Sequence, residues 1–251
     1  DAAPPPIDAA PAIDAQPETD AFVPPPPYVA YWSFDGDATD ATGDHHGTLA
    51  GLAAITSGDQ GFGGGEALQL FANGDRVDVA NPTTLDFNSD FTWHAHIKTG
   101  EGSGAILSRN PLASAWNQGS KALFVRGRSV QWDTGWVGNP GTGVVVDDDE
   151  WHQVIVIFEA ATDQLRIFVD PVPGESADYD GTHEVDRFDE HTHEHNSGVA
   201  DTSFSIGQAN FTGGLGNLDT LVGLIDEVAI FPSALAGPEL EQLITLGPRS
   251  F

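Results

Sequence analysis

The chain has 251 residues, with 9 basic against 38 acidic side chains and a net charge of −29. That length is enough for one large β-domain with a real core. The charge repels nucleic acid and anionic lipid while attracting divalent cations, and the absence of Cys excludes disulfides and thiolate metal sites. No apolar run reaches transmembrane length, so membrane insertion is not expected. With neither Met nor a signal peptide, the chain is expected to be a processed part of a longer product.

Residues 1–27, "DAAPPPIDAAPAIDAQPETDAFVPPPP", hold nine of the 17 prolines and no basic residue. Such a segment builds neither helix nor sheet ladder and is expected to be extended and polyproline-like. A six-residue repeat runs through Ile7-Asp8-Ala9, Ile13-Asp14-Ala15 and Thr19-Asp20-Ala21. The segment is either a tether or a docking arm, and in the second case Ile7, Ile13, Phe22 and Val23 are the apolar anchors between prolines.

From Tyr28 to Phe251 the texture is that of a single all-β domain. Short alternating runs recur between Gly, Asn and Asp turns: "YVAYWSF", "EALQLF", "DRVDVA", "FTWHAHIK", "GAILSR", "KALFVRG", "WHQVIVIF", "DQLRIFV", "SFSIG" and "LVGLIDEVAIF". One short C-terminal helix is predicted, with Gly237 at its N-cap, Pro238 in the first turn and Gly247 past its end. Leu240, Leu243 and Ile244 share its apolar face. With no helices alternating between strands, the fold class is a two-sheet antiparallel sandwich and not α/β.

Five segments, "YWSFDGDATDATGDHHGTLAG", "ALQLFANGDRVDV", "DFTWHAHIKTGEGSGAILSR", "WHQVIVIFEAATDQLRIFVD" and "LIDEVAIFPSALAGPEL", follow one another in an order that resembles the laminin-G-like, concanavalin A-like jelly rolls. The resemblance implies a jelly-roll sandwich. It does not select among the lectins, adhesion modules, pentraxins and glycosidases that share the fold.

Asp226 and Glu227 stand inside the last apolar strand. Strand alternation sends them to opposite faces, which leaves Glu227 solvated. Asp226 then lies among apolar neighbours and needs a partner to stay ionised. The resemblance implies a structural calcium here, bound by Asp226 and, from the first-strand side, by Asp35, Asp40 and the loop at Gly43. The alternative is that Asp226 accepts backbone N–H groups without a metal. A second candidate lies in the long insertion at 171–202, where His191, His193 and His195 alternate and could present three imidazoles to Zn²⁺, Ni²⁺ or Cu²⁺. The other reading of that insertion is a hydrated acidic loop whose histidines titrate near neutrality.

For ligand binding, "FTWHAHIK" places His94 and His96 on the face away from the core, a solvent or ligand surface. Trp116, Trp132 and Trp136, in segments read as loops, offer stacking platforms for a glycan, whereas Trp32, Trp93 and Trp151 read as core. Catalysis is not expected. The nearest glycosidase-like pattern, "EVDRFD" with Glu184, Asp186 and Asp189, lies in the insertion instead of a central strand. The expected function is an extracellular or cell-surface binding and adhesion module recognising a glycan or a surface protein. The alternatives are a structural subunit of a homo-oligomer or filament, linked through residues 1–27, and, less favoured, a glycosidase.

Overall fold

A computed structural model of the chain describes residues 28–251 except 59, 86, 111–115, 136–137, 175–187, 190–202 and 213–219, with 188–189 by backbone alone. The docking arm, the histidines at 191, 193 and 195, the "EVDRFD" acids and Trp136 therefore lie outside the described residues.

Fifteen strands occur among the described residues. The first five are β1 (Ala30–Trp32), β2 (Gly47–Ala50), β3 (Ala54–Ile55), β4 (Leu68–Leu70) and β5 (Arg76–Val79). They are followed by β6 (Phe91–Lys98), β7 (Ser103–Arg109), β8 (Lys121–Arg126), β9 (Ser129–Thr134) and β10 (Gly141–Val145). The last are β11 (Trp151–Glu159), β12 (Gln164–Val169), β13 (Phe188–Asp189), β14 (Ser205–Ile206) and β15 (Gly223–Phe231), with the helix α1 (Gly237–Leu246) after them. An eight-stranded sheet runs in the order β13-β12-β11-β6-β15-β4-β3, with β1 also paired to β15. The second, seven-stranded sheet runs β10-β9-β8-β7-β14-β5-β2. The order of both sheets is that of a jelly-roll sandwich, as the sequence implies.

The core lies between the sheets and is aromatic. Phe91 and Trp93 on β6 meet Trp132 on β9 at ring-centroid distances of 5.8 and 4.9 Å, and Phe87 and Phe204 meet Trp93 edge-on. Trp132 is fully buried, and its indole N–H donates to Thr134 Oγ1 at 2.8 Å. It belongs to the core and not to a ligand-binding loop, which corrects the sequence reading. The hairpin responsible turns at Gly127 and Arg128, whose φ values of 58° and 74° suit a tight two-residue turn. That turn pairs Leu123 with Trp132 and points the indole inward.

A smaller apolar cluster covers the outer face of the larger sheet. Ile155, Ile157, Phe168, Ala229 and Phe231 on that face pack against Leu240, Leu243 and Ile244 of α1. The helix thus roofs a sheet face that alternation alone would leave open. Its N-cap is Ala236, one residue before the predicted Gly237, and the chain leaves it at Gly247 with φ of 71°. A third cluster sits on the outer face of the second sheet, where Trp116 packs on Phe211 and Phe124. Trp116 is only 4% exposed, so the expected open platform is a packed side chain.

Candidate functional site: a cleft over strand β6

The strand that raised the carboxylate question does not keep one alternation. Along β15, Asp226 pairs with His96, but the next partner of β6, His94, faces Ala229, so one extra residue is inserted between them. Glu227 occupies the insertion with φ of 52°, a left-handed conformation. Ile225, Val228 and Ile230 consequently all join the core between the sheets, and Asp226 and Glu227 emerge on the same outer face. Glu227 is not solvated there: it is 4% exposed. Both sequence expectations for Glu227 are therefore corrected, and the cause is the bulge.

Around these acids the chain forms a compact polar knot. Asp226 accepts the Phe62 N–H at 2.7 Å and the Glu227 N–H at 2.8 Å. Asp35 accepts the Glu66 N–H at 3.0 Å. Glu227 accepts the Tyr31 hydroxyl at 2.7 Å, and the Arg249 guanidinium donates to Glu227 at 2.6 Å and reaches Asp35 as well. Residues 61–66 wrap tightly over these groups. A Cβ at Gly61 would lie 2.3 Å from the Glu66 carbonyl oxygen, and one at Gly65, where φ is 85°, 2.4 Å from Asp35 Oδ1. Burial pushes the Asp226 carboxyl up to about 7, despite its two backbone donors. The hydrogen bond to Glu227 raises the already high value of Arg249 further, so it is a permanent cation.

The residues expected to hold calcium do not assemble into a cage. Asp40 is engaged elsewhere, accepting the backbone N–H groups of Tyr31, Thr42, Asp44 and His45 and the Thr42 hydroxyl. It shares no hydrogen-bond donor with Asp226 or Asp35. Gly43 lies in that same loop, its N–H bonded to the Asp40 carbonyl. The Arg249 guanidinium bridges Asp35 to Glu227, and Asp226 is engaged by backbone N–H groups. Among the described residues no group of three or more His, Asp or Glu side chains is arranged to hold a metal. Their side chains alone therefore do not form a calcium cage.

Beside the knot, over the β6–β11 border, lies a cleft made of two adjoining cavities of about 290 and 250 Å³. Phe62, His96, Leu246 and Gly247 line both. The Phe62 ring stacks on His96 with centroids 3.5 Å apart, and Trp151 meets Phe62 edge-on at 6.1 Å. Gln153 and Asp170 line the first cavity, Glu227 and Arg249 the second. Phe62 and Leu246 at the rim are 40% and 65% exposed, apolar lips on an otherwise acidic surface.

The histidines of β6 are not an open face, because α1 and the glycine-rich turn cover them: His94 and His96 are 0% and 1% exposed, and of the two only His96 lines the cleft. His94 is fully specified. Its Nδ1 donates to the Glu227 carbonyl at 2.7 Å, and its Nε2 accepts from the Gln153 amide at 3.1 Å. Burial depresses it to about 4, so it is neutral. Burial likewise holds His96 well below the ordinary histidine value. Unlike His94, its Nδ1 has no hydrogen-bond partner. A buried polar atom left unpaired is costly and marks a place where a ligand can compensate. Gln153 uses its amide N–H groups on His94 and on the Leu243 carbonyl, keeping its Oε1 as an acceptor for a ligand.

Asp170 is held in place by the Gln153 N–H at 2.8 Å and by His152 Nδ1 at 2.6 Å. The hydrogen bond that His152 donates to Asp170, with a second to Asp148, raises His152 to about 9. Since this folded value lies above the ordinary 6.5, the ion pair stabilises fully below that pH and is lost as pH rises through about 9. Asp226 and Asp133, both raised to about 7 by burial, favour the fold when protonated, so their contribution also fades as pH rises, between 3.8 and about 7. Buried neutral His94 and His96 oppose this only below their ordinary 6.5. Melting temperature is therefore expected to fall steadily from pH 6.5 to 9.5. His152→Gln should flatten the upper half of that slope, worth about 1–2 kcal/mol once screening by the half-exposed carboxylates is allowed for. Equal slopes for the two proteins would refute the assignment.

Sequence reasoning found His94, His96, Asp35 and Asp226 but missed Phe62, Trp151, Gln153, Asp170 and Arg249. Trp151 reads as core from the sequence, yet it is partly exposed at the first position of β11. One signal was available: "GFGGGE" sets a lone aromatic among glycines, which marks a close backbone approach.

Residues 71–241 match the concanavalin A-like lectin/glucanases superfamily, and the chain belongs to that family. No curated protein sequence matches it significantly. Among solved structures it is similar to domain 4 of AbnA, a GH43 extracellular arabinanase from Geobacillus stearothermophilus in complex with arabinotriose. That match has TM-score 0.55 and 16% identity and covers 88% of this chain and 99% of the other. It is also similar to a Trypanosoma rangeli sialidase in complex with 2,3-difluorosialic acid, with TM-score 0.58, 15% identity and 93% of this chain covered. A third likeness is to botulinum neurotoxin type C, whose cell entry depends on interaction with two ganglioside molecules, with TM-score 0.58, 10% identity and 86% of this chain covered. The match takes in 35% of the sialidase chain and 50% of the toxin chain. At these identities the likeness is one of fold. Among the described residues no helix is long and apolar enough to cross a membrane.

Proposed function

We propose that this chain is an extracellular, non-catalytic glycan-binding module that takes a sugar into the cleft over β6. The observation that carries this reading is the unpartnered His96 Nδ1 in a cleft flanked by Phe62 and Trp151. Carbohydrate sites combine apolar ring faces with a few placed hydrogen-bonding groups, and here Gln153, Asp170 and His96 provide the second element. The AbnA domain of this fold, which belongs to an extracellular enzyme and was solved with arabinotriose, supports the same class of ligand and the location. Catalysis is disfavoured by the state of the acids. Glu227 is ion-paired to Arg249, Asp226 is buried on two backbone donors, and Asp170 is paired to His152. None is free to act as the nucleophile or acid of a carboxylate pair.

The test is a glycan array followed by calorimetry on the best ligand. Trp151→Ala and Phe62→Ala are each expected to weaken binding about ten-fold, the value of one lost aromatic contact of about 1–1.5 kcal/mol, while the protein stays folded. Unaltered affinity in both variants would move the site elsewhere.

A further inference from the structure

We propose that the cleft over β6 selects neutral, hydroxyl-bearing sugars and rejects carboxylated ones, with His96 as the residue that reads the hydroxyl. This rests on the glycan-binding reading above and narrows it to a ligand class.

The first argument is hydrogen-bond accounting. A neutral imidazole carries one donor and one acceptor nitrogen. His94 has both nitrogens paired, and Gln153 uses its N–H groups on His94 and α1. Among the described lining residues, His96 alone has a buried nitrogen with no partner. A sugar hydroxyl can donate or accept, so it satisfies that nitrogen in either tautomer. A carboxylate only accepts and would leave an acceptor nitrogen unmet.

The second argument is charge. Asp170 lines one cavity and Glu227 the other, and Asp226 lies behind them on the same face. Arg249 is the one cation among the described lining residues, and it is already bound to Glu227 and Asp35. An anionic ligand would find no unpaired positive group among the described lining residues. It would also approach a chain of net charge −29. The repulsion is strongest within a low-dielectric cleft, where screening by salt is weak.

The third argument is size. About 290 Å³ is at the small end of ligand pockets. One or two sugar rings fill it, with the remainder of an oligosaccharide crossing the rim at Phe62 and Leu246. An acidic ring in the first cavity meets Asp170, and one in the second meets Glu227.

The experiment compares matched probes on the full chain by calorimetry. The neutral set is arabinotriose, xylotriose, cellotriose and lactose; the carboxylated set is trigalacturonate and 3′-sialyllactose. At least one neutral probe is expected to bind at least ten-fold more tightly than either acidic one. His96→Phe keeps the ring stack but removes the nitrogens, and is expected to weaken neutral binding at least ten-fold. Asp170→Asn should narrow the neutral-over-acidic preference at least three-fold. Should His96→Phe fail to fold, the wild-type comparison and Asp170→Asn still decide the matter. Equal or tighter binding of the acidic probes, lost in Trp151→Ala, overturns the ligand class but leaves a glycan site in the cleft. Neutral binding unchanged by His96→Phe overturns His96 as the reader. No binding by any probe overturns both this inference and the glycan reading.

Discussion

Trp132→Ala is expected to lose about 3–5 kcal/mol of stability, the range for deleting a large aromatic from a packed core. Trp132 is fully buried, touches Phe91 and Trp93 within one aromatic cluster, and its N–H is paired to Thr134. The surrounding rings are held by both sheets, so the cavity cannot collapse and the penalty should sit high in that range. For a domain of this size each kcal/mol moves the midpoint by about 2–4 °C, giving a loss of roughly 10 °C in a thermal melt. Trp151→Ala in parallel is expected to shift the melt by only a few degrees, because that ring is partly exposed at the cleft. A Trp132→Ala protein that melts like the wild type would show that the indole is not in the core.

The second large effect is expected at Arg249. Its side chain is half exposed but its partner Glu227 is almost wholly buried, at 50% and 5%. Removing the guanidinium leaves a buried carboxylate facing only the Tyr31 hydroxyl, with Asp226 close by in the same knot. Breaking one side of a buried pair costs about 3–5 kcal/mol, reduced here to about 2–3 kcal/mol by the exposure of the arginine. Arg249→Lys should recover part of this, since lysine restores the charge but not the fork that reaches both acids. Because the guanidinium supplies the positive charge of the knot, a chelator is expected to leave the wild-type melting temperature unchanged within a degree. A fall of several degrees with chelator, reversed by calcium, would show that a metal holds this face in place of the arginine.

The sandwich was legible because its signals are local. Alternation in "FTWHAHIK", "WHQVIVIF" and "DQLRIFV" needs only the strand itself, and the sides it assigns to Phe91, Trp93, Ala95 and Ile97 are those observed. What covers the other side is not local. His94 and His96 face away from the core as the pattern requires, but α1 and the turn at Phe62, distant in sequence, close over them. Trp132 was misassigned because "QWDTGW" contains a Gly and an Asp and reads as a loop. The Gly127-Arg128 turn and the alternating Val130-Gln131-Trp132-Asp133 after it are the hairpin signal that outweighs them. The register slip in β15 left no trace, because the left-handed position is filled by Glu where a glycine would have announced it.

That slip has a wider meaning for how a sheet can present charge. An unbroken strand shows every second residue to one side, so two sequence neighbours never reach the same partner. With Glu227 set out of phase, the nine residues of β15 behave as two short strands spliced end to end, each keeping its own apolar teeth inward. The splice gives Arg249 an acid within reach and lets the next carboxylate anchor the turn that carries Phe62. Flattening the bulge with Glu227 retained would force the strand into a single phase. Either Asp226 would then enter the apolar interior or the stretch from Val228 to Phe231 would turn inside out, and the roof, the knot and the cleft floor would lose their common reference point together.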